Sequence, residues 1–382
     1  MAERADAGRA EWQNRHVARG PFHTRLCEVL GVRYPILLAG MAGGPTTPEL
    51  VAAVSRAGGL GVIGAAGMTA DALEQAVRRT RELTDGPIGV NVLLAPPSDG
   101  TGDPEAVHRF LAPYRSELGL PDRAPRPRPS APAPELVEAA LGAGAAVVTV
   151  GLGDPAPVAG LARRAGAPLV AMVATVADAR RAVASGADAV VAQGAEAGGH
   201  RSNFVVGPHG EVPLVGTLAL VPQVIRAVGV PVVAAGGIMD GRGLVAALAL
   251  GAEGVQLGTL FLTAREAGSA ALYRRRVREA AETDTIVTAA VTGRPARMLR
   301  SRLVDALARE GPPPIGWPAQ AAATADLRAA ADGRGAGDLA VHLAGQAAGM
   351  APPGDPGAEE IVAGLVREAA DAAARISSLS RG

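Results

Sequence analysis

Residues 168–193 read PLVAMVATVADARRAVASGADAVVAQ. An unbroken apolar run opens the stretch, an alanine-rich amphipathic segment follows, and a second apolar run, DAVVAQ, closes it. Strands without polar alternation are buried on both faces, and strands joined through a helix run parallel. The turn between helix and second strand carries Gly186, a residue able to take the left-handed conformation that a helix C-cap favours. The stretch is therefore one strand–helix–strand unit of a parallel sheet.

The same unit repeats on both sides. Strand-like runs occur at 35–39 (PILLA), 59–64 (GLGVIG), 87–94 (PIGVNVLL), 145–150 (AAVVTV), 231–236 (PVVAAG) and 254–258 (GVQLG). Helical patterns such as TPELVAAVSRAG and TADALEQAVRRTREL separate them. With the two runs already quoted this makes about eight units, which predicts an α/β fold of the TIM (β/α)8 barrel type. Two stretches break the rhythm. The segment 119–134, GLPDRAPRPRPSAPAP, is too proline-rich for helix or sheet and is expected to be an extended, mobile surface segment. Residues 263–354 are too long for a barrel loop and predict a smaller, mostly helical inserted domain. The expected division is a polar tail at 1–23, a barrel from 24–94, 132–262 and 355–378, and a second domain or lid from 95–131 and 263–354. The amphipathic segment 359–376 is expected to supply the barrel's last helix.

Composition narrows the chemistry. Hydrophobic residues make up 48% of the 382 but aromatics only 2%, so the core must be aliphatic. Formal net charge is zero, so no global field favours nucleic acid or an anionic membrane. The chain contains no lysine, and all 37 basic residues are arginine, which excludes lysine Schiff-base and lysine general-base chemistry. A single cysteine, Cys27, excludes an intrachain disulfide and reads as structural. The polar N-terminal segment lacks the apolar stretch of a signal peptide, and no apolar run reaches membrane-spanning length. A cytoplasmic protein is expected.

In a TIM barrel, function collects at the C-terminal ends of the strands. The first strand leads into Ala39-Gly40-Met41-Ala42-Gly43-Gly44, whose small residues let a flat group approach. Asn91 interrupts the third apolar run and, as a buried amide, is either a strand-end hydrogen bonder or a cofactor ligand. Strand six ends at Gln193. Strand seven ends at Gly236-Gly237 and strand eight at Gln256-Leu257-Gly258-Thr259, where backbone N–H groups commonly form a phosphate site. After strand six, QGAEAGGH carries Gly198, Gly199 and His200 across the mouth from that site. Imidazole titrates near neutrality and so suits proton transfer. Glu196 is either catalytic or tied to the amides of its own loop. No ligand cluster surrounds His200, so no metal is expected, and the other histidines (His16, His23, His108, His209, His342) read as ordinary surface or core residues. A phosphate site without a nicotinamide fingerprint favours FMN.

The segments AGMAGGPTTPELVAAVSRAGGLGVIGAAG, GVNVLL, AQGAEAGGHRSNF, AAGGI, VQLGTLF and TGRPARMLRSRL together resemble the nitronate monooxygenases, and DLAVHLAGQAAGMA resembles the AGQ segment of their class I branch. The resemblance runs from about residue 24 to 348. It implies non-covalent FMN, with Met41, Asn91, Gln193, Gly198, Gly199, Gly236, Gly237, Gln256, Leu257, Gly258 and Thr259 as cofactor-binding positions and His200 as catalytic base. It implies oxidation of nitronates or nitroalkanes by O2 to a carbonyl compound and nitrite, without NAD(P)H. Where class I members often carry FHFG, this chain has Val148-Thr149-Val150-Gly151, which implies a smaller, less polar pocket. The alternatives are an FMN-dependent NAD(P)H reductase of quinone or enoyl-acyl-carrier-protein type, and a pathway-specialised flavoenzyme acting on another nitrogen-containing metabolite. Expected partners are the small-molecule substrate and O2, with no nucleic acid and no membrane; homodimerisation stays open.

Overall fold

The computed structural model describes residues 19–95, 100–124, 130–207 and 210–379. All eight apolar runs are strands: β1 (Ile36–Leu38), β2 (Gly61–Gly64), β3 (Ile88–Leu93), β4 (Val147–Gly151), β5 (Leu169–Val173), β6 (Ala189–Gln193), β8 (Val232–Ala235) and β9 (Gly254–Leu257). They pair in parallel in the order β1-β9-β8-β6-β5-β4-β3-β2. A parallel bridge between Leu37 and Leu60 returns β1 to the side of β2 and closes a TIM barrel. The omitted number, β7, is the pair Gly199–His200, which lies outside the barrel sheet.

The helices are α1 (Arg25–Leu30), α2 (Pro48–Arg56), α3 (Ala70–Leu83), α4 (Pro104–Glu117), α5 (Ala133–Gly142), α6 (Ala156–Arg164), α7 (Val176–Ala184), α8 (Thr217–Ala227), α9 (Gly241–Ala249), α10 (Ala271–Glu279), α11 (Arg302–Arg309), α12 (Ala319–Ala323), α13 (Ala325–Arg334) and α14 (Ala358–Leu379). Their starts follow local chemistry. The hydroxyls of Thr47, Thr69 and Thr175 accept from Leu50, Ala72 and Asp178 N–H groups at the openings of α2, α3 and α7. As expected from 359–376, α14 joins the outer ring, packing on α9 and α2. The fit is close, since a Cβ on Gly241 would stand 2.2 Å from Ala369 N.

Alternation along the strands sorts the core into two layers. Ile36, Leu38, Val90, Val92, Val190, Ala192, Val255 and Leu257 pack outward against the helices. Leu37, Val62, Val147, Val191 and Val233 point inward, and Leu26, Cys27 and Leu30 of α1 join them, plugging the barrel floor. Cys27 is thus a packing residue, and its thiol is pushed up by burial.

A further hydrophobic cluster draws on α4, α10, α11, α13 and the residues around 291–298 and 339–340. This region is less helical than expected. The antiparallel strands β10 (Thr285–Thr288) and β11 (Ala296–Leu299) pair with each other, and β11 pairs with β7 in the order β10-β11-β7. Within the proline-rich segment, 125–129 lie outside the described residues, and Ala131 is already tethered, its N–H donating to Met68 O at 3.1 Å. Among the described residues no helix is long and apolar enough to cross a membrane.

Ring and barrel also touch closely at Gly61. A Cβ on Gly61 would lie 2.0 Å from the Val51 carbonyl oxygen of α2. Gly61→Ala is expected to cost about 1–3 kcal/mol through forced overpacking, measured by denaturant unfolding; an unchanged unfolding midpoint would contradict the packing.

Candidate active site

The inward parity that lines the barrel with Val and Leu changes chemistry at its upper end. Asn91 on β3, Thr149 on β4, Gln193 on β6 and Gln256 on β9 share the inward register and are all buried. Asn91 Nδ2 donates to Thr149 Oγ1 at 2.9 Å, and that hydroxyl donates to Val90 O at 3.2 Å. The amide of Asn91 is thereby oriented, with Oδ1 left as an acceptor. Gln193 is engaged at both ends. Its Nε2 donates to His200 O at 2.9 Å, and its Oε1 accepts from Ser202 N at 2.8 Å. Leu257 belongs to the other parity: its side chain is 1% exposed in the outer layer, so only its backbone reaches the rim.

The glycines that follow β8 and β9 lie at neighbouring strand ends. Gly236 and Gly237 take φ of 115° and 72°, a turn closed to most side chains. Among the described residues the N–H groups of Gly237 and Thr259 donate to no carbonyl. The AGQ segment lies against this rim: Gly345 N donates to Thr259 Oγ1 at 3.0 Å, and Gln346 N to Glu196 O at 2.9 Å. A Cβ on Gly198 would sit 2.5 Å from Ala344 C, so only glycine permits that approach. Met41 lies near Gly258, its sulfur 3.7 Å from where a Cβ on Gly258 would stand. Glu196 is bound to the start of α8 rather than to the amides of its own loop: its carboxylate accepts the Thr217 N–H at 3.0 and 2.9 Å and the Thr217 hydroxyl at 2.8 Å.

His200 is held more firmly than a glycine turn suggests. It lies opposite Ala296 in the antiparallel ladder, and the next N–H, of Arg201, donates to Pro295 O at 2.8 Å. Arg201 is fully buried and returns to β6, donating to Gly194 O and Gln193 O at 2.7 and 2.9 Å. The half-buried imidazole meets Thr292 Oγ1 through Nε2 at 3.1 Å, and the Trp317 ring edge-on at a 5.0 Å centroid distance. Burial, aided by the Arg294 and Arg328 guanidiniums, pushes the imidazole down to about 4. It is neutral at physiological pH.

Thr292, Arg294, Trp317 and Arg328 were not singled out as site residues from the sequence. The motif TGRPARM held the first two in plain view, but nothing local shows that it pairs with β7. His342, read as ordinary, is a buried anchor: it stacks on Tyr273 at 4.1 Å and its Nε2 meets Asp332 Oδ1 at 2.6 Å, just before the AGQ segment. His16 and His209 lie outside the described residues.

A closed parallel barrel whose mouth gathers a polar ring, a glycine rim and a neutral imidazole defines an enzyme of the TIM-barrel class. A family model described as nitronate monooxygenase matches residues 23–368. The probable nitronate monooxygenase of Staphylococcus saprophyticus is 43% identical over 289 residues, covering 74% of this chain and 79% of that protein. Nitroalkane oxidase from Streptomyces ansochromogenes aligns with a TM-score of 0.82 and 35% identity, over 92% of this chain and 100% of that one. FabK from Thermotoga maritima aligns with a TM-score of 0.73 and 32% identity, over 94% and 99%. The chain belongs to the nitronate monooxygenase family. It is an oxidoreductase, and the family points to a flavin cofactor.

The lowered imidazole has a stability consequence. The unfolded chain takes up a proton near the ordinary value of 6.5, whereas native His200 does so only near 4. The contribution is therefore fully present above 6.5 and is lost as pH falls through that window. NMR titration of the ligand-free protein should place the His200 midpoint near 4, and His200→Asn should flatten the stability slope between these values. A midpoint at the ordinary 6.5 would contradict the burial of the ring.

Proposed function

We propose that the barrel mouth binds FMN and that the protein oxidises nitronates and nitroalkanes with O2, giving a carbonyl compound and nitrite. The observation that carries this reading is the neutral imidazole of His200 beside two cationic guanidiniums, on a chain of this family. The residues present fit the cofactor. Gly237 and Thr259 offer backbone N–H donors free of protein carbonyls for an anionic phosphate, at the ends of the adjacent strands β8 and β9. Asn91 and Gln256, inward at the strand ends, offer amides to the edge of a flat ring, and Met41 offers an apolar contact. Gln193 keeps one amide hydrogen beyond its bond to His200 O, and Leu257 contributes backbone only. Gly198 lets the His200 strand pass close to Ala344 and Gly345 of the AGQ segment, and beside Gly199 the space is open.

When bound, FMN would supply the electron-accepting chemistry. The chain's own groups handle the proton and the charge. Neutral His200 accepts the proton from the carbon bearing the nitro group of a neutral substrate, converting it to a nitronate. Arg294 and Arg328 donate to backbone carbonyls of Leu152, Asn203 and Ala321 rather than to carboxylates, so their charge stays available to the site. The same positive field that disfavours an imidazolium favours the nitronate anion. A preformed nitronate skips the proton step. In the overall change the carbon–nitrogen bonds of two nitronates break, each of the two carbonyl products takes one oxygen atom of a single O2, and two nitrites leave.

The alignment with FabK from Thermotoga maritima supports a second reading, an NAD(P)H-dependent reductase on the same site. The first reading expects nitronate-dependent oxygen uptake with matching nitrite release, above the rate of free flavin; its absence with propionate 3-nitronate and alkyl nitronates alike would overturn it. His200→Asn should lower turnover of neutral nitroalkanes by about 100-fold or more. Preformed nitronates should lose less than about tenfold, and equal losses on both would remove the base role.

A further inference from the structure

Two residues beside the His200 ring, Thr292 and Arg294, decide which of its nitrogens carries the proton. Nε2 lies 3.1 Å from Thr292 Oγ1, and that oxygen lies 2.9 Å from the Arg294 carbonyl. A carbonyl can only accept, so the single hydroxyl proton of Thr292 is directed to Arg294 O. What Thr292 then presents to the imidazole is a lone pair, and Nε2 must be the donor. Rotating the hydroxyl toward Nε2 would strip a buried carbonyl of its partner, a change that costs about 1–3 kcal/mol.

The frame around this contact is rigid. Thr292 is 2% exposed, and its β-branched side chain has few rotamers. Arg294 is pinned through its guanidinium to Leu152 O and Asn203 O at 3.0 and 2.6 Å. Pro295 O receives the Arg201 N–H, and Ala296 stands opposite His200 in the ladder. The Thr292–Ala296 turn and the His200 backbone therefore move as one piece. Trp317, edge-on at 5.0 Å and 75°, limits rotation of the ring. Among the described residues nothing is bonded to Nδ1.

We propose that Thr292 is the positioning residue that holds His200 as the Nε2–H tautomer, leaving Nδ1 as the atom that takes the substrate proton. The second half rests on the reading that His200 serves as base; the first half does not. Thr292 touches no reacting atom. It sets which lone pair is offered, and a hydroxyl at that place does so where an isosteric methyl cannot.

The experiment compares wild type, Thr292→Val and Thr292→Ser, each checked for cofactor content and unfolding midpoint. Nitrogen NMR of the His200 side chain near neutral pH should show Nε2–H alone in wild type and in Thr292→Ser, and a mixture of tautomers in Thr292→Val. Turnover of a neutral nitroalkane should fall about tenfold or more in Thr292→Val, with KM little changed and with Thr292→Ser restoring the rate. Turnover of the preformed nitronate should stay within about threefold in both. A wild-type protein protonated at Nδ1 overturns the proposal outright. So does Thr292→Val with equal losses on both substrates and no rescue by serine, the mark of a purely structural residue. If Thr292→Val does not fold, the wild-type tautomer and the serine variant decide the matter. If wild type oxidises neither substrate, the proposed function and the Nδ1 assignment fall together, while the NMR result still decides the tautomer.

Discussion

One side-chain amide joins the two halves of this structure. Gln193 ends the sixth barrel strand, and its Nε2 and Oε1 bond the His200 carbonyl and the Ser202 N–H. A strand end inside a closed parallel barrel is among the most rigid positions a chain offers. The amide transfers that rigidity to a two-residue strand of a different sheet. Arg201 doubles the link by donating to the carbonyls of Gln193 and Gly194. Without these bonds the imidazole would lose its direct tie to β6 and be held through β11 and a glycine-rich turn.

Other features of the site follow from that link. Because β7 is fixed to β6, its partner β11 is fixed too, and with it the Thr292–Arg294 turn that meets the imidazole. Burying the ring there keeps it neutral, and buried cations whose donors end on backbone carbonyls leave a positive field without a proton on the histidine. The AGQ segment closes the rim from another side, held by the stacked Tyr273–His342 pair and by the donation of Gly345 to Thr259. An aliphatic chain with almost no aromatic residues has thus placed Trp317 against His200.

The barrel was legible because its signals are local. Apolar runs without alternation, threonine caps and glycine stops lie within a few residues of the elements they define, and all eight runs are strands. The polar ring was half legible. Asn91 and Gln193 stood out as amides in apolar runs, but strand parity was needed to turn Gln256 inward and Leu257 outward. The three-stranded sheet was not legible: β7 has two residues and pairs with Ala296 and Arg297, nearly a hundred positions on, with no periodicity to announce it. For the same reason Thr292 and Trp317 stayed hidden, one inside a quoted motif and one within the inserted region 263–354, where nothing local points to the site.

We propose that this mouth oxidises nitronates rather than receiving hydride from a nicotinamide. Anaerobic mixing of the flavin-loaded protein with an alkyl nitronate, and separately with NADH and NADPH, tests it most directly. The nitronate is expected to change the flavin absorbance while both nicotinamides leave it oxidised. Rapid bleaching by NADH or NADPH, with no response to the nitronate, would contradict it.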